Sequence, residues 1–218
     1  MTRILFEKVD DAVYISHLDL MRLFQRALAR AGIPIRHSQG FNQRPSVSIA
    51  LPLSLGVASH CELLDFALDG QQISDAEIQR RLNAKLVPGI RVLEAYTPVR
   101  KPKEIALLDC ELRMEYDHGL PEGAAGALGA LFSRAELVLE KRGKSGIVQQ
   151  DIRPMLRRLE ISGQGSELLL RARVCAQNPT LNPAQLIAAI AAYAPQYRPD
   201  FTAITRLEIY DESENIFR

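Results

Sequence analysis

Tryptophan is absent from this 218-residue chain, cysteine occurs three times, and the formal net charge is only +1. Each scarcity removes a class of explanation. Without a charge excess the molecule is not a generic polyanion binder, so any nucleic-acid affinity must come from uneven placement of its 27 lysines and arginines. Cys61, Cys110 and Cys175 are odd in number, far apart and never in a CxxC pair. That spacing argues against a zinc site or an iron–sulfur cluster held by this chain alone, and the three read as reduced, mostly buried thiols. No run approaches the roughly 20 apolar residues of a membrane span. Charged and apolar residues alternate from Arg3 onward, so no signal peptide is expected before the first strand and a cytoplasmic location is expected. GKSG (Gly143–Gly146) lacks the upstream glycine of a phosphate-cradling P-loop. Glu62, Asp65 and Asp69 fit the polar positions of a strand and turn, so no metal site is expected there.

The most informative scarcity is local. From Leu20 to Cys61 the chain has five arginines (Arg22, Arg26, Arg30, Arg36, Arg44), two histidines (His37, His60) and no acid. At average composition a window of that length would hold about five acids. Arginines without local carboxylates face solvent, or an anion brought by a partner. Asp65 or Asp69, arriving from an adjacent strand, would be the internal competitor for them.

What is present elsewhere organises into two similar halves, read as 1–99 and 100–218. Residues 3–9 alternate as a strand, Asp10-Asp11 turns, and Ala12–Ile15 is expected to return as a second short strand. Ser16 caps a helix with Asp19 answering three residues on, and Gly32 and Pro34 end it. Leu20, Phe24, Ala27, Leu28 and Ala31 share one side of that helix, with Arg22, Arg26 and Arg30 in a row beside it. Strands follow at Ile33–Ser38, Val47–Leu53 and Glu62–Leu68, with GFNQRP (Gly40–Pro45) as a loop. A capping box at Ser74–Glu77 opens a second helix that Pro88-Gly89 closes, and Ile90–Thr97 completes the half. After a linker at Pro98–Lys103, the second half has a strand around Leu108–Tyr116 and a helix from about Glu122 to Arg134. Glycines 123, 126 and 129 weaken that helix, which is therefore expected to need close packing. A strand at Leu137–Lys141, a loop at Arg142–Pro154, a hairpin (Arg158–Ile161 with Glu167–Val174), a helix from Asn182-Pro183 to Tyr193 and a strand at Ala203–Tyr210 follow. The expected class is α+β, two tandem ferredoxin-like (βαββαβ) domains, the second carrying a basic loop at 141–158.

The run FEKVDDAVYISHLDLMRLFQRALARAGIPIRHSQGFNQRPSVSIALPLSLGVASHCELLD resembles the bacterial radical SAM-linked protein family, a domain of unknown function, with a weaker likeness at DIRP (Asp151–Pro154). The resemblance falls on Ser16, His17, Leu18, Asp19, Arg26, Arg30, Ser38, Gly40, Phe41, Asn42 and Pro45; where relatives read GFNP, this chain has Gln43. Members of that family occur beside, or fused to, cobalamin-type radical SAM proteins. The resemblance therefore implies an accessory or substrate-binding role. The partner enzyme, not this chain, would carry the iron–sulfur cluster, S-adenosylmethionine and cobalamin.

Two constellations are candidates for a site. The larger is anionic in its preference: Arg22, Arg26, Arg30, Arg36, His37 and Arg44, with Phe41 and Asn42 in a loop suited to stacking on an unpaired base. A second basic patch joins Lys141, Arg142, Lys144, Arg153, Arg157 and Arg158, against Glu140 and Asp151. The expected function is a non-catalytic RNA- or substrate-binding accessory protein. Two alternatives stand beside it: a metal-independent ribonuclease using His17 (with Asp19) or His37, by fold-level analogy with CRISPR-RNA processing endonucleases, and a pure protein-interaction subunit.

Overall fold

A computed structural model describes residues 1–39, 41, 43–70, 72–143 and 146–218; the side chains of Lys141, Arg142 and Gln164 lie outside the description. The chain is mixed α+β, and its described residues cluster into two units: Met1–Glu104 with Phe217–Arg218, and Ile105–Ile216.

In the first unit, strand β1 (Thr2–Lys8) leads to helix α1 (His17–Arg30), strands β2 (Val47–Ala50) and β3 (Val57–Phe66), helix α2 (Asp75–Asn83) and strand β4 (Ile90–Tyr96). The sheet order is β4-β1-β3-β2, antiparallel throughout. Both helices form where local chemistry asks for them. Asp19 N–H donates to Ser16 Oγ at 3.2 Å and Glu77 N–H to Ser74 Oγ at 3.3 Å. Each bond satisfies an orphan donor of a first helical turn. Leu20, Phe24, Ala27 and Leu28 of α1, with Ile78 and Leu82 of α2, are buried against Ile4, Phe6, Leu64 and Phe66. Phe6 and Phe24 meet edge to face with ring centroids 4.7 Å apart.

Two expected strands of this unit are not strands. Residues Asp10–Tyr14 form a 3-10 turn instead of a returning strand. The reason is occupancy: β3 and β4 take both edges of β1, so no edge is left for a hairpin partner. The turn is fastened from beneath. Lys8, almost fully buried, donates through Nζ to Val13 O at 3.0 Å, and burial lowers the basicity of its amine. Val9 N–H donates to Gly89 O at 2.8 Å. Gly89 has φ +79°, and a Cβ there would lie 2.5 Å from Val9 O, so the position admits glycine only. The segment Ile33–Ser38 makes only single bridges, Ile35 to Leu68 and His37 to Pro45, because Pro34 and Pro45 supply no ladder donors.

A buried ion pair braces the opposite side of the sheet. Arg3, 1% exposed, donates through Nε and Nη2 to the two Asp65 oxygens at 2.6 and 2.8 Å. Burial is the largest single influence and opposes the charge on Arg3, but the hydrogen bonds and charge of Asp65, with smaller help from Tyr96, together outweigh it and raise the pKa. Phe217 is fully buried; its ring centroid lies 5.5 Å from the Arg3 guanidinium carbon and 4.6 Å from that of Arg100.

In the second unit, strand β5 (Leu107–Glu115), helix α3 (Ala124–Phe132), strands β6 (Val138–Gly143), β7 (Gly146–Asp151), β8 (Leu156–Gln164) and β9 (Glu167–Cys175), helix α4 (Ala184–Tyr193) and strand β10 (Phe201–Tyr210) follow in order. The sheet order is β10-β5-β9-β8, again antiparallel, with β6 and β7 as a separate two-stranded hairpin. Period-two alternation builds β5: Leu108, Cys110, Leu112 and Met114 are buried, and the alternate residues are cross-strand charge partners. Asp109 pairs with Arg173 at 2.7 Å and Glu111 with Arg171 at 2.9 Å.

The expected loop at Arg142–Pro154 is corrected: Gly146–Asp151 is strand β7, paired with β6 in register from Val138↔Asp151 to Gly143↔Gly146. Its β-branched Ile147 and Val148, both exposed, favour extension despite the surrounding Gly, Lys and Gln. The close packing expected of α3 is on the side away from its glycines. A Cβ built at Gly126 or Gly129 would meet nothing within 4 Å. The helix is held by its other side, where Ala124, Leu128, Leu131 and Phe132 are buried.

Two outcomes follow. Asp65→Ala leaves the Arg3 charge buried and unpaired and should cost about 3–5 kcal/mol in urea unfolding. All three thiols are buried, and burial pushes Cys110 up to about 12. Ellman's reagent should therefore titrate no thiol in the native protein at neutral pH and three after unfolding.

Candidate anion-binding surface

Helix α1 fixes the candidate residues of the first unit along a line. Its 14 residues span about 21 Å. His17, Asp19 and Arg22 stand at its start, Arg26 near its middle, and Arg30 at its end, all exposed to solvent at least in part. Beyond Gly32 the chain runs outward and back as a narrow arm. Arg36 N–H donates to Ala67 O and Ser46 N–H to Arg36 O, both at 2.8 Å. Farther out, Ser38 N–H donates to Arg44 O at 2.8 Å and Arg44 N–H to Ser38 Oγ at 3.0 Å. Phe41 lies at the tip of this arm, fully exposed, between the arginines of its two limbs. Asn42, like Gly40, falls outside the described residues.

The partners of the five arginines decide what the surface can do. Arg22 donates to Asp19 Oδ1 at 3.0 Å, an exposed i,i+3 pair of the kind worth at most about 1 kcal/mol. Arg30 Nη2 donates to Lys85 O at 2.8 Å, satisfying a carbonyl just past the end of α2. Arg26, Arg36 and Arg44 make no side-chain hydrogen bond or ion pair among the described residues. The anticipated competitor Asp65 is taken by Arg3, a pairing across 62 residues that no local pattern announces. Glu77 is likewise held by Arg80 and Arg81, whose hydrogen bonds lower its carboxyl to about 2.

His17 is the first residue of α1, and His37, beyond the helix, is bridged to Pro45. Asp19 does not serve His17: its oxygens receive Ser16 Oγ at 2.7 Å and Arg22 at 3.0 Å. The Ser16 hydrogen bond first, then Arg22, hold the Asp19 carboxyl below the usual carboxylate range.

In the second unit, Lys141 and Arg142 lie on β6 with undescribed side chains, and Lys144 falls outside the described residues. Arg153 is half-buried and donates through Nη1 to Leu156 O at 3.0 Å. Asp151 does not pair with it side chain to side chain; Asp151 Oδ1 accepts from the Leu137 and Arg153 backbone N–H groups at 2.8 and 3.0 Å. Arg157 and Arg158 of the same basic patch line a cavity together with Arg153. No group of three or more metal-ligating side chains occurs among the described residues, and no described helix is long and apolar enough to cross a membrane.

Comparison with known proteins is consistent with a bacterial lineage and a recurrent fold. A family profile described as an uncharacterized protein conserved in bacteria (DUF2344) matches residues 2–183. No curated protein matches. A chain in the crystal structure of a Cbf5–Nop10–Gar1 complex is similar over 97% of this chain and 50% of its own length, with a TM-score of 0.56 and 10% identity. This chain thus spans about half the length of that one, and at such identity the likeness concerns the fold alone. An unknown protein from Galdieria sulphuraria aligns over 94% of this chain and 96% of its own at 14% identity, but with a TM-score of only 0.25.

Ser16→Ala should move the Asp19 titration upward, toward the usual carboxylate range, in a carbon-detected NMR pH series. Because the native value is lowered, the stabilisation tied to Asp19 ionisation is present above the unfolded-state pKa and lost as pH falls through the native one.

Proposed function

We propose a function for a chain that belongs to this bacterial DUF2344 family: it is a non-catalytic RNA-binding accessory protein. The observation that carries the reading is the state of Arg26, Arg36 and Arg44. They reach solvent without carboxylate partners among the described residues, while Asp65 is committed elsewhere. Guanidinium forks match phosphate oxygens in two-point contacts. Successive rungs about 6 Å apart along α1 match the spacing of backbone phosphates in order of magnitude. Phe41 at the arm tip offers a face on which an unpaired base stacks. We also read each unit as ferredoxin-like; the sheet orders β4-β1-β3-β2 and β10-β5-β9-β8, with β6–β7 as an insertion, support that reading.

By the resemblance of its first seventy residues, the partner is a cobalamin-type radical SAM enzyme, which brings the iron–sulfur cluster, S-adenosylmethionine and cobalamin; this chain holds none of them. The two act together in RNA modification. The turn before α1 supports docking of a protein: Tyr14, Leu18 and Leu55 are exposed apolar side chains, and Gly56 N–H donates to Val13 O at 2.9 Å, setting the loop of Leu55 beside the turn.

Filter binding of a structured RNA at about 50 mM salt should show retention, with log K falling linearly as log salt rises. Arg26→Ala with Arg44→Ala should lower affinity at least tenfold and flatten the salt slope by about 0.9 for each phosphate that is no longer neutralised. Absence of retention, or a double variant that binds as the wild type does, overturns the reading. Because the chain has six tyrosines and no tryptophan, the ratio of absorbance at 260 and 280 nm before nuclease treatment gives a first indication.

A further inference from the structure

The second unit has a cavity of about 360 Å³ between α3 and β8 that the α1 surface does not use. One wall is a flat strip of α3 centred on Gly129, where a Cβ would meet nothing within 4 Å, with Ser133 beside it. Phe132, Leu156, Leu159 and Ile161 are apolar members of its lining. The facing wall brings Arg153, Arg157 and Arg158 to the same space. Their charges are unequally engaged. Arg158 is paired with Glu160 at 2.6 Å, and Arg153 gives one of its donors to Leu156 O. Arg157 makes no side-chain hydrogen bond or ion pair among the described residues and is exposed. Glu160, the acid nearest to Arg157 in sequence, is the one held by Arg158, and Asp151 spends one oxygen on two backbone N–H groups.

We infer that this cavity is a phosphate-monoester site, with Arg157 and Arg153 on the phosphate and a flat apolar body against Gly129 and Phe132. Two cationic forks sharing a cavity with apolar side chains suit an anion carried on a planar group, and the volume suits one nucleotide. Two sources share this chemistry: a free nucleoside monophosphate, and the 5′-phosphorylated end of an RNA strand. The site does not rest on the α1 reading, since none of its residues lies in the first unit.

Calorimetric titration with uridine monophosphate, 5′-phosphorylated hexauridylate and the same oligomer without the phosphate separates the outcomes. Binding of the monophosphate and the phosphorylated oligomer alike identifies the free nucleotide as sufficient; binding of the phosphorylated oligomer alone identifies the strand end. Either result supports the site if Arg157→Ala weakens binding at least tenfold. Gly129→Leu should abolish it by filling the flat wall, while gaining helix propensity, so that a folded, thermally stable variant is expected. The titrations use the Arg26→Ala, Arg44→Ala background, so that oligomer held on the α1 surface does not contribute and failure of the α1 reading leaves this test intact. Equal binding of the oligomer with and without its phosphate overturns the proposal. So does undetectable binding of every probe, or a folded Gly129→Leu variant that binds as before.

Discussion

Three carboxylates of the first unit are held by arginines outside α1. Asp65 is clasped in two-point fashion by Arg3, Glu77 by Arg80 and Arg81, and Glu7 by Arg91 at 2.7 Å. Among the described residues Asp19 pairs with the first arginine of the helix row, at the surface. An ion pair in the interior requires a partner because the desolvated charge is costly alone, whereas exposed guanidinium groups are stable in water without one. Buried Arg3 takes Asp65, and Arg26 of α1 stays in solvent without a carboxylate partner among the described residues. The basic character of this face is therefore a by-product of how the interior satisfies its own charges, in a molecule whose net charge is nearly zero.

The position of α1 depends on a second constraint. Its N-terminal end is seated by the 3-10 turn, which Lys8 holds from below and Gly89 holds from the side. Its C-terminal end is tied to α2 through Arg30 and the Lys85 carbonyl. Arg26, between these two anchors, is left to solvent. A side chain carried on a helix fixed at both ends loses less freedom on meeting an anion than one on a loose segment. Phe41 and Arg44, by contrast, sit on an arm joined by few backbone bonds, which suits adjustment to an irregular single strand.

Local chemistry was legible from residues alone. Ser16 with Asp19 and Ser74 with Glu77 announce helix starts, and the apolar sides of both helices are the buried ones. The alternation from Leu107 to Glu115 announces a strand. What sequence reading missed depends on distant partners. The fate of Ala12–Ile15 is decided by β3 and β4 occupying both edges of β1, and the use of Asp65 by a pairing with Arg3 across 62 residues. The β6–β7 hairpin was hidden by composition, since a Gly- and Lys-rich stretch reads as a loop while Ile147 and Val148 carry the strand. At the site, the arginine row is visible in the sequence, but the cavity that joins Gly129 to Arg157 comes from packing α3 on β8.

Phe217 carries a last consequence. It belongs to the unit of residues 1–104, buried beside Arg3 and Arg100, although more than a hundred residues of the second unit are made before it. During synthesis at several residues per second, the first unit waits on the ribosome with that aromatic position unfilled until the second has been translated. Completion of the early half is thus chronologically the final event, and a gene fragment stopped after codon 104 would produce a body with an open seam beside its most deeply buried arginine.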